Sequence, residues 1–178
     1  MAQIQRLHWG CGDNTRPGWI NFDIKTGPGI DISWDILEGL PLGDDAIDYI
    51  SSQHVLPALT VDNQVPALSE LRRVLKQGGV LRLCMPDLDR AIAAYPSGRP
   101  DYFVLWDWGT LSGNFITQMV DSGYNRTLFT YEFAEELVRK AGFRDVYRVG
   151  YHQTTSPHDE IVELDNRKDE SFYLEAYK

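Results

Sequence analysis

The chain has 178 residues, 43% hydrophobic and 24% charged, enough for one ordinary domain with a core and too few for two large ones. Its formal net charge of −9, with no local basic patch, opposes a phosphate backbone and argues against nucleic acid as substrate. No apolar run approaches the ~20 residues that span a bilayer, the first residues lack the apolar centre of a secretion signal, and two widely spaced cysteines suit a reducing compartment, so a cytoplasmic protein away from membranes is expected.

Residues 4–9 alternate weakly and end at Trp9, where Gly10-Cys11-Gly12-Asp13-Asn14 breaks the pattern, which reads as a strand followed by a glycine turn. After the turn at Pro17-Gly18, residues 19–24 form a short apolar run, and residues 30–34 predict a third strand beyond Gly27-Pro28-Gly29. Residues 40–45 read as a loop and 46–52 as a fourth strand. Val65, Leu68, Leu71, Val74 and Leu75 recur at helical spacing, so a helix is predicted over 65–76 with Gly78-Gly79 just past its end. Residues 80–85 are largely apolar and stop at Pro86, as a buried strand does, and a helix is expected over 88–95.

The stretch 96–128 is irregular and carries Trp106, Trp108, Phe115 and Tyr124. It reads either as a cap or lid over an acceptor site or as a local cover for the sheet. Thr130 is a good N-cap for a helix with Glu132, Glu135 and Glu136 near its positive end, Arg139 and Lys140 near its negative end, and Gly142 beyond. Phe133, Leu137 and Ala141 are its expected buried face. Strands over 143–151 and 171–177 flank a polar, acidic loop at 153–170. Apolar strands alternating with helices predict a mostly parallel α/β sheet.

Open α/β sheets bind ligands beyond the carboxyl ends of their strands. Here those positions are Gly10 to Asn14, Asp23, Asp35, Gln53 to Leu56, and Asp87. A glycine turn lets backbone approach a nucleotide, a carboxylate after the second strand can accept ribose hydroxyls, and a third acidic residue can accept from an adenine amino group. Taken singly, Gly-x-Gly is an ordinary turn, and Asp23 or Asp35 an ordinary turn cap. Their order favours a cofactor site, because each closes its own predicted strand.

The ordered set Leu7-His8-Trp9-Gly10-Cys11-Gly12, Pro17-Gly18-Trp19-Ile20-Asn21-Phe22-Asp23, Asp31-Ile32-Ser33-Trp34-Asp35, Leu71-Arg72-Arg73-Val74-Leu75-Lys76-Gln77-Gly78-Gly79 and Met85-Pro86-Asp87-Leu88, closing on Ala141-Gly142-Phe143 and Phe172-Tyr173-Leu174-Glu175-Ala176, resembles the class I S-adenosylmethionine-dependent methyltransferases. Within them it is similar to the small bacterial type 11-like group often found among polysaccharide-modification genes. The resemblance runs through nearly the whole chain. It implies a Rossmann-like sheet, mostly parallel, with an antiparallel C-terminal hairpin and helices on both faces, in one domain over 1–178 with 96–128 as the cap.

The same resemblance implies S-adenosylmethionine as cofactor, bound by Gly10, Cys11, Gly12, Asp23, Ile24, Asp35, Ile36 and Gln53. Gly10 and Gly12 would face its methionine part, Asp23 its ribose, and Asp35 with Ile36 its adenine. Gln53 and His54 would border the transferable methyl group. Where the family carries His-x-x-Glu-His after the fourth strand, this chain has His54-Val55-Leu56-Pro57-Ala58, and the Glu-His pair is gone.

The expected reaction is in-line methyl transfer to an acceptor oxygen or nitrogen, with His54 as the base because an unperturbed imidazole titrates near neutrality. The bland alternative for His54 is a hydrogen-bonded strand-end residue. The aromatic residues of 96–128 suit a small-molecule acceptor such as a sugar or an aromatic compound. A second expectation, drawn from the missing Glu-His pair, is a cofactor-binding relative that has lost turnover. A nicotinamide-dependent oxidoreductase ranks lower, since the glycine turn lacks its third Gly and the acidic residue comes early. His152, His158, Asp159 and Glu160 match no recognised ligand spacing, so no metal is expected.

Overall fold

The structure, a computed structural model, describes residues 4–103 and 106–178. Residues 1–3 and 104–105, the latter within the stretch 96–128, lie outside the described residues.

The strands are β1 (Arg6–Trp9), β2 (Ile20–Asp23), β3 (Ile32–Ser33), β4 (Ile47–Gln53), β5 (Leu75–Pro86), β6 (Val146–Val149) and β7 (Ser171–Tyr177). They form one 7-stranded sheet in the order β3-β2-β1-β4-β5-β7-β6. Pairs among β1 to β5 are parallel, while β7 runs antiparallel between β5 and β6. This is the expected Rossmann-like arrangement with its antiparallel C-terminal pair. The helices are α1 (Val61–Val74), α2 (Leu88–Ala94), α3 (Leu111–Val120) and α4 (Tyr131–Lys140).

Side chains alternate across each strand, so the two faces of the sheet bury different sets. On one face Leu7, Trp9, Ile50, Leu81, Leu83 and Leu174 pack against Leu68 and Leu71 of α1 and Leu137 and Val138 of α4. Each such fully buried side chain stabilises the fold by roughly 1.5–3 kcal/mol. On the other face Tyr49 and Val80 meet Trp19, Ile161 and Leu164, and the cover there is the 3₁₀ helix Asp159–Val162 with its flanking loops. A third cluster, Ala91, Ala94, Phe103 and Met119, joins α2 to α3. The connection from β1 to β2 holds no helix, which agrees with the short span between Gly12 and Asp23.

The covering segment is tied down by charge. Arg82 of β5 is fully buried and pairs with Asp165 at 2.6 Å and Glu175 at 2.7 Å, both themselves fully buried. Its remaining N–H groups donate to the Gln153 and Gly150 carbonyls. Glu175 also accepts from the Thr154 hydroxyl and the Thr155 backbone N–H. An acidic segment that reads in sequence as a solvated loop is therefore folded onto the sheet.

Three expected elements change. The helix predicted over 65–76 begins behind Thr60 and ends at Val74, and Gly78-Gly79 does not close it. β5 starts at Leu75 instead: Ile47 pairs with Leu75 and Tyr49 with Val80, so residues 76–79 bulge out. Gly78 takes φ +75°, and a Cβ on Gly79 would stand 2.8 Å from the Lys76 carbonyl oxygen, which is why glycine occupies the bulge. The stretch 96–128, expected to be irregular, contains α3. Its Gly113, Ile116 and Thr117 are weak helix formers, but Thr110 caps it and Met119 anchors it against α2. In α4 the Thr130 cap forms as expected, and Leu137 and Ala141 are buried as expected, joined by Ala134 and Val138, whereas Phe133 is half-buried against Phe129.

Candidate active site

The strand order reverses between β1 and β4, and that switch point is where such sheets bind ligands. Gly10 closes β1 at φ +71°, and any Cβ there would collide with Cγ2 of Val55, in the turn after β4. Gly12 follows with φ +49° and donates its N–H to Asp23 Oδ2 at 2.8 Å. The Lys25 N–H donates to Asp23 Oδ1 at 2.9 Å. Asp23 is buried, not exposed at a bare strand end, and it clamps the glycine turn from β2. Cys11 is buried beneath the same turn, and burial with the nearby Asp23 charge pushes its thiol up to about 11, so it stays protonated at neutral pH.

Asp35 caps the short 3₁₀ helix Ile36–Glu38 by accepting from the Leu37 N–H at 2.9 Å. The Ile36 side chain is in the main core, which leaves only its backbone for a ligand. By contrast Ile24 and Trp34, just past β2 and β3, are 66% and 45% exposed. Gln53 donates to Ser51 Oγ at 3.0 Å, while its Oε1 is buried without a partner, as is His8 Nδ1 on β1.

His54 follows β4 with φ +56°, a left-handed conformation that costs a non-glycine residue about 1–3 kcal/mol and concentrates at functional sites. Its Nε2 shares a 2.7 Å hydrogen bond with Ser171 Oγ at the start of β7. Burial, with Arg167 adding to it, lowers its pKa to about 3. Burial disfavours the charged form of the ring, so His54 is largely uncharged at neutral pH.

One cavity adjoins this histidine, and a second adjoins the first. A narrow one with room for about one water is lined by His54, Pro86, Asp121, Asn125, Arg167 and Glu170, among others. A larger one, about 1020 Å³, lies between α2 and residues 166–170, and Arg167 and Glu170 line both. The larger cavity adjoins the His54 pocket and does not extend over Gly10, Asp23 or Asp35. The four residues weighed as metal ligands are engaged elsewhere or spread out: His158 stacks on Tyr49 and His152 on Tyr151. Among the described residues no group of three or more His, Cys, Asp or Glu is placed to hold a metal ion.

Residues 24–83 match a family model described as a methyltransferase domain. Solved structures share the whole fold. An S-adenosylmethionine-dependent methyltransferase from Archaeoglobus fulgidus superposes with a TM-score of 0.63 at 15% identity, covering 98% of this chain and 86% of the other. The chain therefore has the fold of the class I S-adenosylmethionine-dependent methyltransferases, and its residues 24–83 match the methyltransferase-domain model. A possible histamine N-methyltransferase from Thermotoga maritima gives 0.58 at 18% identity over 100% and 84% of the two chains. A methyltransferase from Mesorhizobium loti gives 0.58 at 14% identity over 99% and 92%. No curated protein matches the sequence.

The structure brings Gly10, Cys11, Gly12, Asp23 and Lys25 into one hydrogen-bonded turn and leaves Asp35 as a local cap. Ser171, Arg167, Asp121 and Asn125 reach the His54 pocket from distant parts of the chain, and no local sequence pattern marks them. No helix among the described residues is long and apolar enough to cross a membrane. Since Asp23 holds two backbone N–H groups, Asp23→Ala is expected to lower stability by about 1–3 kcal/mol, read from urea unfolding. An unchanged midpoint would show that the turn does not depend on this carboxylate.

Proposed function

We propose that this chain transfers the methyl group of S-adenosylmethionine to a small-molecule or saccharide-type acceptor, with residues 96–128 acting as a cap within a single domain over 1–178. The observation that carries the proposal is the 1020 Å³ cavity that adjoins the His54 pocket, beside the carboxyl ends of β4 and β5. Such a volume exceeds a single sugar ring and stands at the upper end of small-molecule sites. Arg90, Arg99, Asp101 and Asp169 on its walls offer donors and acceptors of both signs to a polyhydroxylated ligand.

The residues at the switch point fit the cofactor. Backbone of Gly10, Cys11 and Gly12 would face its methionine part, and the buried, unpartnered His8 Nδ1 and Gln53 Oε1 would accept from its amino group. Each Asp23 oxygen holds one N–H and keeps a lone pair for a ribose hydroxyl. Ile24 and Trp34 offer apolar faces to the adenine, with Asp35 and the Ile36 backbone at its edge. When bound, S-adenosylmethionine supplies an electrophilic methyl on a sulfonium. The chain contributes alignment, since holding two reactants in attack geometry removes much of the barrier without any base. His54 then borders the reacting group as an uncharged, positioned side chain.

The low pKa of His54 and the absence of the Glu-His pair favour one alternative, a cofactor-binding relative without turnover. Calorimetry with S-adenosylhomocysteine tests the shared half. Wild type should bind it, nicotinamide dinucleotides should give no heat, and Gly10→Ala should bind at least tenfold more weakly because its new methyl meets Val55. Dinucleotide binding without S-adenosylhomocysteine binding would remove the proposal. Product formation with an acceptor panel then separates enzyme from relic.

A further inference from the structure

The narrow pocket beside His54 has a lining whose polarity selects an acceptor. Asn125 donates its Nδ2 to the Met119 carbonyl at 2.9 Å, which fixes the amide orientation and turns Oδ1, fully buried and without a partner, the other way. A buried acceptor left unmade costs about 1–3 kcal/mol, so the fold carries this atom at a loss that a ligand N–H would recover. Asp121 lines the same pocket, and its carboxylate has no hydrogen-bond or ion-pair partner among the described residues. Arg167, the cation on the pocket wall, is paired with Glu170 at 2.9 Å, which leaves Asp121 as the uncompensated charge. His54 is uncharged at neutral pH and does not repel a cation. Asp121 is itself held at φ +42°, in a left-handed run with Ser122 and Gly123, so the two strained residues Asp121 and His54 share one cavity.

We propose that this pocket holds a primary amine, so that the acceptor is an amino compound whose nitrogen sits between Asp121 and the Asn125 Oδ1 while its body fills the larger cavity. This rests on the methyltransferase reading above and names its substrate class. An amine also needs no catalytic base at the transfer itself. The bound ammonium first releases one proton to solvent in the larger cavity, and the neutral nitrogen then forms its N–C bond with its lone pair as the sulfonium S–C bond breaks with its electron pair going to sulfur. The product is an alkylammonium, whose charge Asp121 would offset.

The test is binding to the full chain saturated with S-adenosylhomocysteine, measured by calorimetry with matched probes: glucosamine against glucose, ethanolamine against ethylene glycol, tyramine against 4-(2-hydroxyethyl)phenol. At least one amine should bind tenfold or more tightly than its hydroxyl counterpart. Asp121→Asn, which keeps the side-chain shape and tolerates the left-handed backbone, should abolish that preference while leaving the S-adenosylhomocysteine affinity and the melting temperature unchanged. Asn125→Leu should weaken the same amine. If S-adenosylhomocysteine binds and no amine outbinds its counterpart, or if Asp121→Asn keeps the preference, the amine proposal is overturned and the methyltransferase reading stands. If S-adenosylhomocysteine itself fails to bind, the reading beneath it fails too.

Discussion

Arg82→Met is expected to remove about 3–5 kcal/mol of stability, the largest loss from any single side-chain change considered for this fold. Arg82 is the cation between Asp165 and Glu175, and all three side chains are out of contact with water. Removing it leaves two buried carboxylates facing each other with no counter-charge. For a domain of this size that loss lowers the melting temperature by roughly 10 °C or more. Since a domain holds only about 5–15 kcal/mol in total, the loss is a large share of the whole stability. A triple variant, Arg82→Met with Asp165→Leu and Glu175→Leu, should recover much of the loss, because no charge is then stranded. A loss below about 1 kcal/mol in the single variant would show that the triad is solvated in solution and that the 150–165 segment lifts from the sheet.

Acid should destabilise the protein over a defined window. Burial holds the pKa of His8 at about 4 and of His54 at about 3 in the fold, and both return to about 6.5 on unfolding. Between about pH 4 and 6.5 the unfolded chain binds two protons that the folded chain does not, so stability falls as pH falls. Each histidine contributes a slope of about 1.4 kcal/mol per pH unit, and going from pH 6.5 to 5 costs on the order of 4 kcal/mol. Above pH 7 neither group titrates in either state, and neither contributes. Urea midpoints measured from pH 5 to 8 check this, and His54→Asn should reduce the slope by about half. A midpoint independent of pH between 5 and 6.5 would place both rings in water.

What the sequence made legible and what it concealed follow from the range of the interactions involved. Strands β4 and β7 were readable because their apolar content is a local property of a few residues, and Thr130 was readable as a cap because its partner, Phe133, is three positions away. The order of strand-end residues Gly10 to Gly12, Asp23 and Asp35 pointed to a switch-point cofactor site because each residue follows its own strand. α3 was hidden because Gly113 and Thr117 disfavour a helix, and only packing on α2 sustains one. The 153–170 segment read as solvent-facing, for nothing local shows that Asp165 will meet an arginine 83 positions earlier. The burial of His54 is likewise not a local property. Its neighbours Ser171 and Arg167, which arrive from the other end of the chain, decide how dry it is.

The place of β7 between β5 and β6 also sets a timetable for synthesis. On the ribosome β1 to β5 emerge first and can pair at once, but the outer edge of β5 stays bare until Ser171–Tyr177 has been made. At about 5–20 residues per second that interval is on the order of ten seconds. β6 is made earlier and cannot shield the edge, because among the described residues its one partner in the sheet is β7. Through that interval the edge presents Val80, Leu81, Leu83 and Met85, a row that invites pairing with other nascent chains. Arg82 stands in the middle of it as an unpaired charge until Asp165 and Glu175 arrive, so the residue that later locks the finished sheet first serves to keep unfinished ones apart.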